Sequence, residues 1–152
     1  MKRILLYVGA ISLLLLGGRG TDIGSLRPVE LVQLTEQSGV LVLETDTGDC
    51  GWGRTVEQTV AKLKETTPGQ IYLDTADYLL LGEGMEKYLP QLREYLKKGT
   101  RMAYVQGRMN LEDAAAYLRI HHPSRVIDGW SRPAEKLVLE GGKLNLKIFQ
   151  EI

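Results

Sequence analysis

The sequence predicts an α/β fold, with a single domain that contains a mixed β-sheet of about four to six strands and three helices. Two observations carry this prediction. Short apolar runs alternate with amphipathic segments along the chain. Residues 77–107 read as strand, helix and strand, with the length that a parallel crossover connection needs. At 152 residues, the chain has room for one domain.

The N-terminus has the pattern of an export signal. Lys2 and Arg3 precede an apolar stretch over residues 4–16, and two small residues follow. The stretch is shorter than the about 20 apolar residues of a stable transmembrane helix, which favours a signal peptide over residues 1–18. An uncleaved membrane anchor is the alternative. The remaining chain divides into a polar tether, residues 19–27, and an α/β domain, residues 28–152.

The first part of the domain predicts a hairpin, a loop and a helix. Residues 29–34 and 40–43 are apolar runs separated by turn-forming residues, as in a β-hairpin. Residues 45–54 are rich in glycine and predict a loop. Thr55 and Gln58 then fit a capping box at the start of a helix. The apolar stripe of that helix consists of Val56, Val60 and Leu63.

The second part of the domain supplies the remaining elements. Pro90 suits the first turn of a helix and separates it from a short helical turn over residues 84–88. Asn110 is the expected cap of a third helix. Gly141 and Gly142 predict a tight turn between the last two strands. The predicted strands here are residues 71–73, 78–81, 102–105, 126–127, 137–139 and 144–149.

Composition excludes some classes of function. Without Lys2 and Arg3, 17 basic groups face 19 acidic ones, and the chain has no basic stripe for nucleic acid. We therefore expect no nucleic-acid partner. Cys50 is the only cysteine, so a disulfide within the chain is impossible. Its place in a predicted loop favours a bystander over a nucleophile.

Residues 48–55 have the spacing of a phosphate-binding loop. Their order is G-x-x-x-x-G-R-T, with Arg54 where such loops carry lysine. Because a planar guanidinium does not simply replace an ammonium group, we favour a structural interpretation in which the glycines allow a turn and Thr55 caps a helix. Nucleotide binding is a third hypothesis for function.

The histidines and aspartates form no recognisable catalytic or metal-binding pattern. His121 and His122 diverge by about 100° on a helix, so a solvated helix end is favoured over a metal site. A hydrolase carboxylate pair or a calcium site would have to use aspartates at turn positions, where aspartate is common anyway. These are Asp46, Asp49, Asp74 and Asp77. We expect no catalytic residue, no metal and no cofactor.

The two tryptophans, Trp52 and Trp130, lie in predicted loops. An exposed tryptophan is well suited to anchor an interface. More often such a ring packs over the edge of the core, and that is the favoured interpretation for both.

Several features together resemble the N-terminal domain of the Ger(x)C family, the C subunits of spore germinant receptors. These are Asp22-Ile23 before the first strand, Gly53-Arg54-Thr55 at the start of an amphipathic helix, and above all the strand that ends in Leu81-Gly82-Glu83 before the next helix. The resemblance covers roughly residues 13–120. It rests on the order and spacing of these segments, since none is a catalytic signature.

Two features depart from the family pattern. Family members carry a lipid-modified cysteine directly after the signal, whereas this chain has Gly18 there, and Cys50 is too distant to serve. The hydrophobic segment itself is then the alternative anchor. Family members are also more than twice as long, so the resemblance concerns their first domain.

The resemblance implies a non-enzymatic, exported and membrane-associated protein that acts in spore germination or the sporulation envelope through contacts with other receptor-like subunits. Strand-to-helix loops share one edge of a parallel sheet, where the candidate partner contacts are Trp52, Arg54 and Glu83. The alternative is an exported small-molecule-binding module or hydrolase that uses the same edge. A deep pocket lined by Asp74, Asp77 and Glu83 would favour that alternative.

Overall fold

A computed structural model describes residues 26–128 and 132–149. The expected signal segment, most of the tether and Trp130 lie outside these described residues. The strands in chain order are β1 (Leu26–Pro28), β2 (Leu31–Gln37), β3 (Val40–Thr45), β4 (Cys50–Gly53), β5 (Gln70–Tyr72), β6 (Tyr78–Leu81), β7 (Arg101–Gln106), β8 (Arg125–Val126), β9 (Glu135–Glu140) and β10 (Lys143–Ile148). The helices are α1 (Val56–Thr66), α2 (Leu89–Leu92) and α3 (Leu111–Ile120).

The described chain has an α/β fold with three α-helices, which confirms the predicted class. Its mixed sheet contains eight strands, where about four to six were expected. The order is β10-β9-β7-β6-β2-β3-β4, and β8 pairs with the start of β7. Strands β2, β6, β7 and β9 are parallel, while β3, β4 and β10 run antiparallel to their neighbours. Strands β1 and β5 form a separate parallel pair.

Both predicted hairpins form. Ser38 and Gly39 join β2 to β3 with φ values of 52° and 80°, and Gly141 and Gly142 join β9 to β10 with values of 55° and 77°. Positive φ at both central residues is typical of the two-residue turns that match the twist of a hairpin. The predicted strand–helix–strand unit also forms, since β6 and β7 are adjacent and parallel on either side of α2.

The glycine-rich segment 45–54, predicted as a loop, contains strand β4 instead. A tight turn closes where the Thr45 N–H donates to the Asp49 carbonyl over 3.0 Å. Glycine is depleted in strands, so composition indicated a loop. Here Gly51 and Gly53 are needed because α1 lies directly on the strand: a Cβ at Gly51 would be 2.4 Å from the Thr59 carbonyl oxygen.

The helix predicted from Pro90 is shorter than its sequence pattern indicated. Only Leu89–Leu92 is α-helical, preceded by a 3-10 turn over Met85–Tyr88, and Pro90 lies in its first turn. Leu96 still reaches the core, because turns extend the chain beyond the helix: its N–H donates to the Leu92 carbonyl over 3.1 Å.

The sheet has apolar side chains on both faces. Helices α1 and α2 cover one face, whose buried core includes Leu34, Leu43, Leu63, Leu79, Leu89 and Met102. Helix α3 covers the other face, where the buried side chains include Leu31, Leu80, Ala103, Ala115, Leu118 and Leu137. Coverage on both faces explains why β6 is buried along its whole length.

Candidate functional site

Trp52 and Arg54 lie at the β4 end of the sheet. The Trp52 side chain is 48 % exposed, so it is not tucked over the core edge as favoured from the sequence. The ammonium group of Lys62 lies 5.1 Å from the centre of its ring. Arg54 is exposed, and its backbone N–H donates to the Gln58 side chain over 3.2 Å. Both side chains are accessible to a partner.

Glu83 lies at the same edge of the sheet but apart from these two residues. It follows β6, which β2 and β3 separate from β4, so three strand spacings of about 4.8 Å place it roughly 14 Å away. Its carboxylate accepts from the Lys136 ammonium group over 2.5 Å. Glu83 is therefore engaged in an ion pair with β9, and the predicted contacts do not form one cluster.

The open face is our name for the surface formed by Thr35, Val40, Val42 and Trp52. Paired residues of neighbouring strands point to the same side of a sheet, and Val42 pairs with Trp52 while Leu41 and Leu43 enter the α1 core. The open face is therefore on the α3 side. Among the described residues, however, α3 packs over β2, β6 and β7, and no residue of β3 or β4 joins that core. Aliphatic side chains and one indole remain accessible there.

Three of the four turn aspartates, Asp46, Asp49 and Asp77, make structural contacts, and Asp49 accepts a hydrogen bond from the Thr47 hydroxyl over 2.7 Å. Asp46 accepts the backbone N–H groups of Glu30 and Leu31, each over 3.1 Å. Asp77 pairs with Lys97. Asp46 and Asp77 line one shallow cavity of about 290 Å³, whereas Asp74 lines a different cavity of about 420 Å³.

A pocket lined by Asp74, Asp77 and Glu83, which would favour the small-molecule-binding or hydrolase alternative, is not formed among the described residues, because Asp77 precedes β6 and Glu83 follows it at the opposite edge of the sheet. In the described part of the chain, no group of three or more His, Cys, Asp or Glu side chains is placed to hold a metal ion.

The two histidines contact different rings, as expected for divergent neighbours at a helix end. His121 stacks on Tyr117, with ring centres 4.5 Å apart. The Nδ1 atom of His122 is 3.0 Å from the Tyr78 hydroxyl oxygen. Burial, followed by the charges of Asp77 and Glu30, raises the pKa of Tyr78. Both imidazoles are on the surface, whereas the Tyr78 ring is buried.

One cavity lies between α3 and the turn of the β9–β10 hairpin, and we call it the α3 groove. Its volume is about 920 Å³. Strands β2 and β3 contribute Gln33 and Glu44, and the remaining lining comes from the β7–α3 loop, α3 and the hairpin. These other residues are Arg108, Met109, Asn110, Asp113, Tyr117, Leu139, Gly142, Lys143 and Leu144. The volume is at the upper end of the about 300–1,000 Å³ typical of ligand pockets.

Gln33 is the unusual residue of the α3 groove. Only 9 % of it is exposed, and its Nε2 atom donates to a Glu44 carboxylate oxygen over 3.2 Å. Since a carboxylate accepts and an amide nitrogen donates, this bond fixes the orientation of the amide. The Oε1 atom then has no hydrogen-bond partner among the described residues. Leaving such an acceptor buried and unpaired costs about 1–3 kcal/mol, which a ligand with a donor would remove.

Charges of both signs surround the α3 groove. Glu44 and Asp113 are acidic, and Arg108 and Lys143 are basic. Neither basic side chain forms an ion pair with another described residue. The groove therefore carries two acidic and two basic side chains.

Cys50 is partly buried on β4. Burial, and then the neighbouring charge of Glu44, raises the pKa of its thiol. A thiol that is held protonated is a weak nucleophile, which agrees with the bystander role expected from the sequence.

Residues 48–55, which have the spacing of a phosphate-binding loop, do not form such a loop at the N-terminus of α1. Its centre is strand β4, and Gly53 is packed against α1. The Gln58 N–H donates to the Thr55 hydroxyl over 3.1 Å, so Thr55 caps α1 as predicted. The Gln58 side chain reaches back to Arg54 instead of Thr55, one residue earlier than in a standard capping box.

Comparison with protein-family profiles, curated proteins and solved structures found no match to this chain. Among the described residues, no helix has the length and apolar character needed to cross a membrane.

Sequence reasoning missed the residues of the α3 groove. Gln33 and Glu44 are polar positions within apolar strands, Arg108 follows a strand, and Lys143 begins one. The one local signal was Gln33, a polar side chain in the middle of an apolar run. Its pairing with Glu44 depends on the strand register, and the approach of Arg108 and Lys143 depends on tertiary structure.

Proposed function

We propose that this protein is a non-enzymatic, exported and membrane-associated component of a spore germination or sporulation envelope complex, and that it acts by contact with other receptor-like subunits. The proposal rests on the resemblance of its central unit to Ger(x)C proteins. In the structure, the segment that carries this resemblance is the parallel β6–α2–β7 unit.

The single structural observation that supports a contact function is the open face. Trp52 is 48 % exposed beside the aliphatic side chains of Val40 and Val42, and Arg54 and Lys62 lie at its border. An aromatic residue with an apolar surround and a charged rim is the composition of a protein interface. The open face therefore replaces the dispersed set of Trp52, Arg54 and Glu83 as the proposed contact surface.

The experiment is photocrosslinking of the full chain in the membranes of sporulating cells of the bacterium that encodes it. A photoreactive amino acid is placed at Val42, on the open face, or at Ile120, which is 77 % exposed on α3 and serves as the control. We expect crosslinks to receptor-like membrane subunits from Val42 and not from Ile120, and Trp52→Ala should reduce them several-fold.

A functional readout accompanies the crosslinking. Deletion of the chain should slow the loss of spore refractility, and the wild-type chain should restore it better than the W52A variant. Equal crosslinking from Val42 and Ile120 would show that the open face is not the contact surface. Recovery of the chain from the cytosol with residues 1–18 intact would contradict the export that the proposal requires.

A further inference from the structure

We propose that the α3 groove binds a short peptide of three or more residues, with free termini and apolar side chains. This binding site goes beyond the proposed contact function and does not depend on it. The proposal rests on four properties of the groove: a buried acceptor and two cations that have no partner among the described residues, an apolar wall, and the spacing between its charged ends.

One end of the groove offers acceptors. Gln33 presents its buried Oε1 atom without a partner among the described residues, and Glu44 is held beside it by the Gln33 Nε2 bond. An α-ammonium group donates several hydrogen bonds and carries a positive charge, so it can donate to the Gln33 oxygen and also pair with the Glu44 carboxylate. The strand register aligns these two side chains, because Gln33 pairs with Glu44 across β2 and β3.

The other end of the groove offers donors. Arg108 follows β7 and Lys143 begins β10, and neither has an ion-pair partner in the described chain. A guanidinium group binds a carboxylate with two parallel hydrogen bonds, and an ammonium group adds a point charge. Glu44 at the opposite end disfavours a ligand that carries only negative charge.

The wall between the two ends is largely apolar. Met109, Leu139 and Leu144 contribute side chains to it, and Leu139 is 43 % exposed. The Tyr117 hydroxyl, which accepts the Leu146 N–H over 3.1 Å, ties the hairpin to α3 and holds the groove open as a defined shape. Apolar ligand side chains would cover this wall.

The spacing of the two ends sets the length of the ligand. Strand β7, which leads to Arg108, and strand β2, which carries Gln33, have only β6 between them, so their backbones are about 10 Å apart across the sheet. The strand register places Ala103 of β7 level with Gln33, and Arg108 comes five residues later, so the two ends of the groove are farther apart than this lateral spacing. A free amino acid has its ammonium and carboxylate groups on one carbon and cannot reach both ends. An extended chain spans about 3.3–3.6 Å per residue, so a ligand that reaches both ends needs three or more residues.

The test is calorimetric titration of the full chain, in lipid nanodiscs, with the tripeptide Ala-Leu-Ala. We expect saturable binding that E44Q weakens about tenfold and that the double variant R108Q/K143Q also weakens about tenfold, because each removes charge-assisted hydrogen bonds. Lys98→Gln, on an exposed residue outside the groove, is the matched control and should leave the affinity unchanged. Thermal denaturation verifies that every variant is folded.

Blocked peptides assign the two ends. N-acetylation of the tripeptide should weaken its binding to the wild type, and E44Q should then cause no further loss of affinity. C-amidation should likewise weaken binding to the wild type, and R108Q/K143Q should then cause no further loss. The proposal is overturned if the tripeptide does not bind at millimolar concentration, if free leucine binds as tightly as the tripeptide, or if the groove variants bind like K98Q.

Discussion

Replacing Gly51 with alanine tests the contact on which the β4 end of the sheet depends. A Cβ at this position would lie 2.4 Å from the Thr59 carbonyl oxygen and 2.6 Å from the Leu63 Cβ and N atoms. Two of these three atoms belong to the α1 backbone and cannot rotate away. Ordinary contact distances are about 3.5 Å, so α1 would have to move off the strand by roughly 1 Å.

The cost of this movement follows from what α1 buries. Its core side chains Val56, Val60 and Leu63 are 3 %, 2 % and 0 % exposed. Full burial of each is worth about 1.5–3 kcal/mol, or about 5–9 kcal/mol together. A gap of 0.5–1 Å forfeits roughly a quarter to a half of the contact energy. We therefore expect G51A to lower the free energy of unfolding by about 2–4 kcal/mol. This value is at the upper end of the about 1–3 kcal/mol that overpacking a core usually costs.

The assay is thermal and chemical denaturation of the full chain, followed by circular dichroism. The matched control is Gly99→Ala, because Gly99 does not have a positive φ and an added Cβ there meets no atom within 4 Å. G99A should stay within about 0.5 kcal/mol of the wild type. If G51A is as stable as G99A, the close approach of α1 to β4 is refuted.

Three further predictions concern single side chains. Thr55→Ala removes the cap of α1 and should cost about 1 kcal/mol in the same denaturation assay, whereas serine at this position should retain most of the stability. The raised pKa of Tyr78 means that the folded state holds the phenol proton more tightly, so stability should be full below the ordinary pKa of 10.0 and fall as the pH rises through it. Denaturation from about pH 8 to pH 11 should show this loss of stability in the wild type and a smaller loss in Y78F. If the free energy of unfolding falls equally steeply with pH in both proteins, the loss does not come from Tyr78. Cys50 should react with iodoacetamide more slowly than a free thiol at neutral pH, and Glu44→Gln should speed the reaction, since burial and this carboxylate raise its pKa; an unchanged rate in E44Q would show that the carboxylate does not act on the thiol.

Local sequence signals were largely dependable in this chain; the main exception is β4, where a tertiary contact with α1 requires the glycines that indicated a loop. The crossover at β6–α2–β7, the caps at Thr55 and Asn110 and the turn at Gly141-Gly142 were all predictable from local sequence. Strand β4 was not, since its glycines resemble a loop until α1 is placed against them. Among the candidate contacts, the exposure of Trp52 contradicts the core-edge packing that the sequence favoured, and the ion pair of Glu83 with Lys136 depends on the position of β9.

The sequence by itself determined the fold class, the hairpins and the helix starts, because these depend on hydrophobic spacing and on turn and cap residues close together in the chain. Tertiary structure decided how many strands join the sheet and which surfaces remain uncovered. It also decided that Gln33, Glu44, Arg108 and Lys143 surround one groove. These residues come from four separate segments, so strand register and helix packing bring them together, and no local pattern records that proximity.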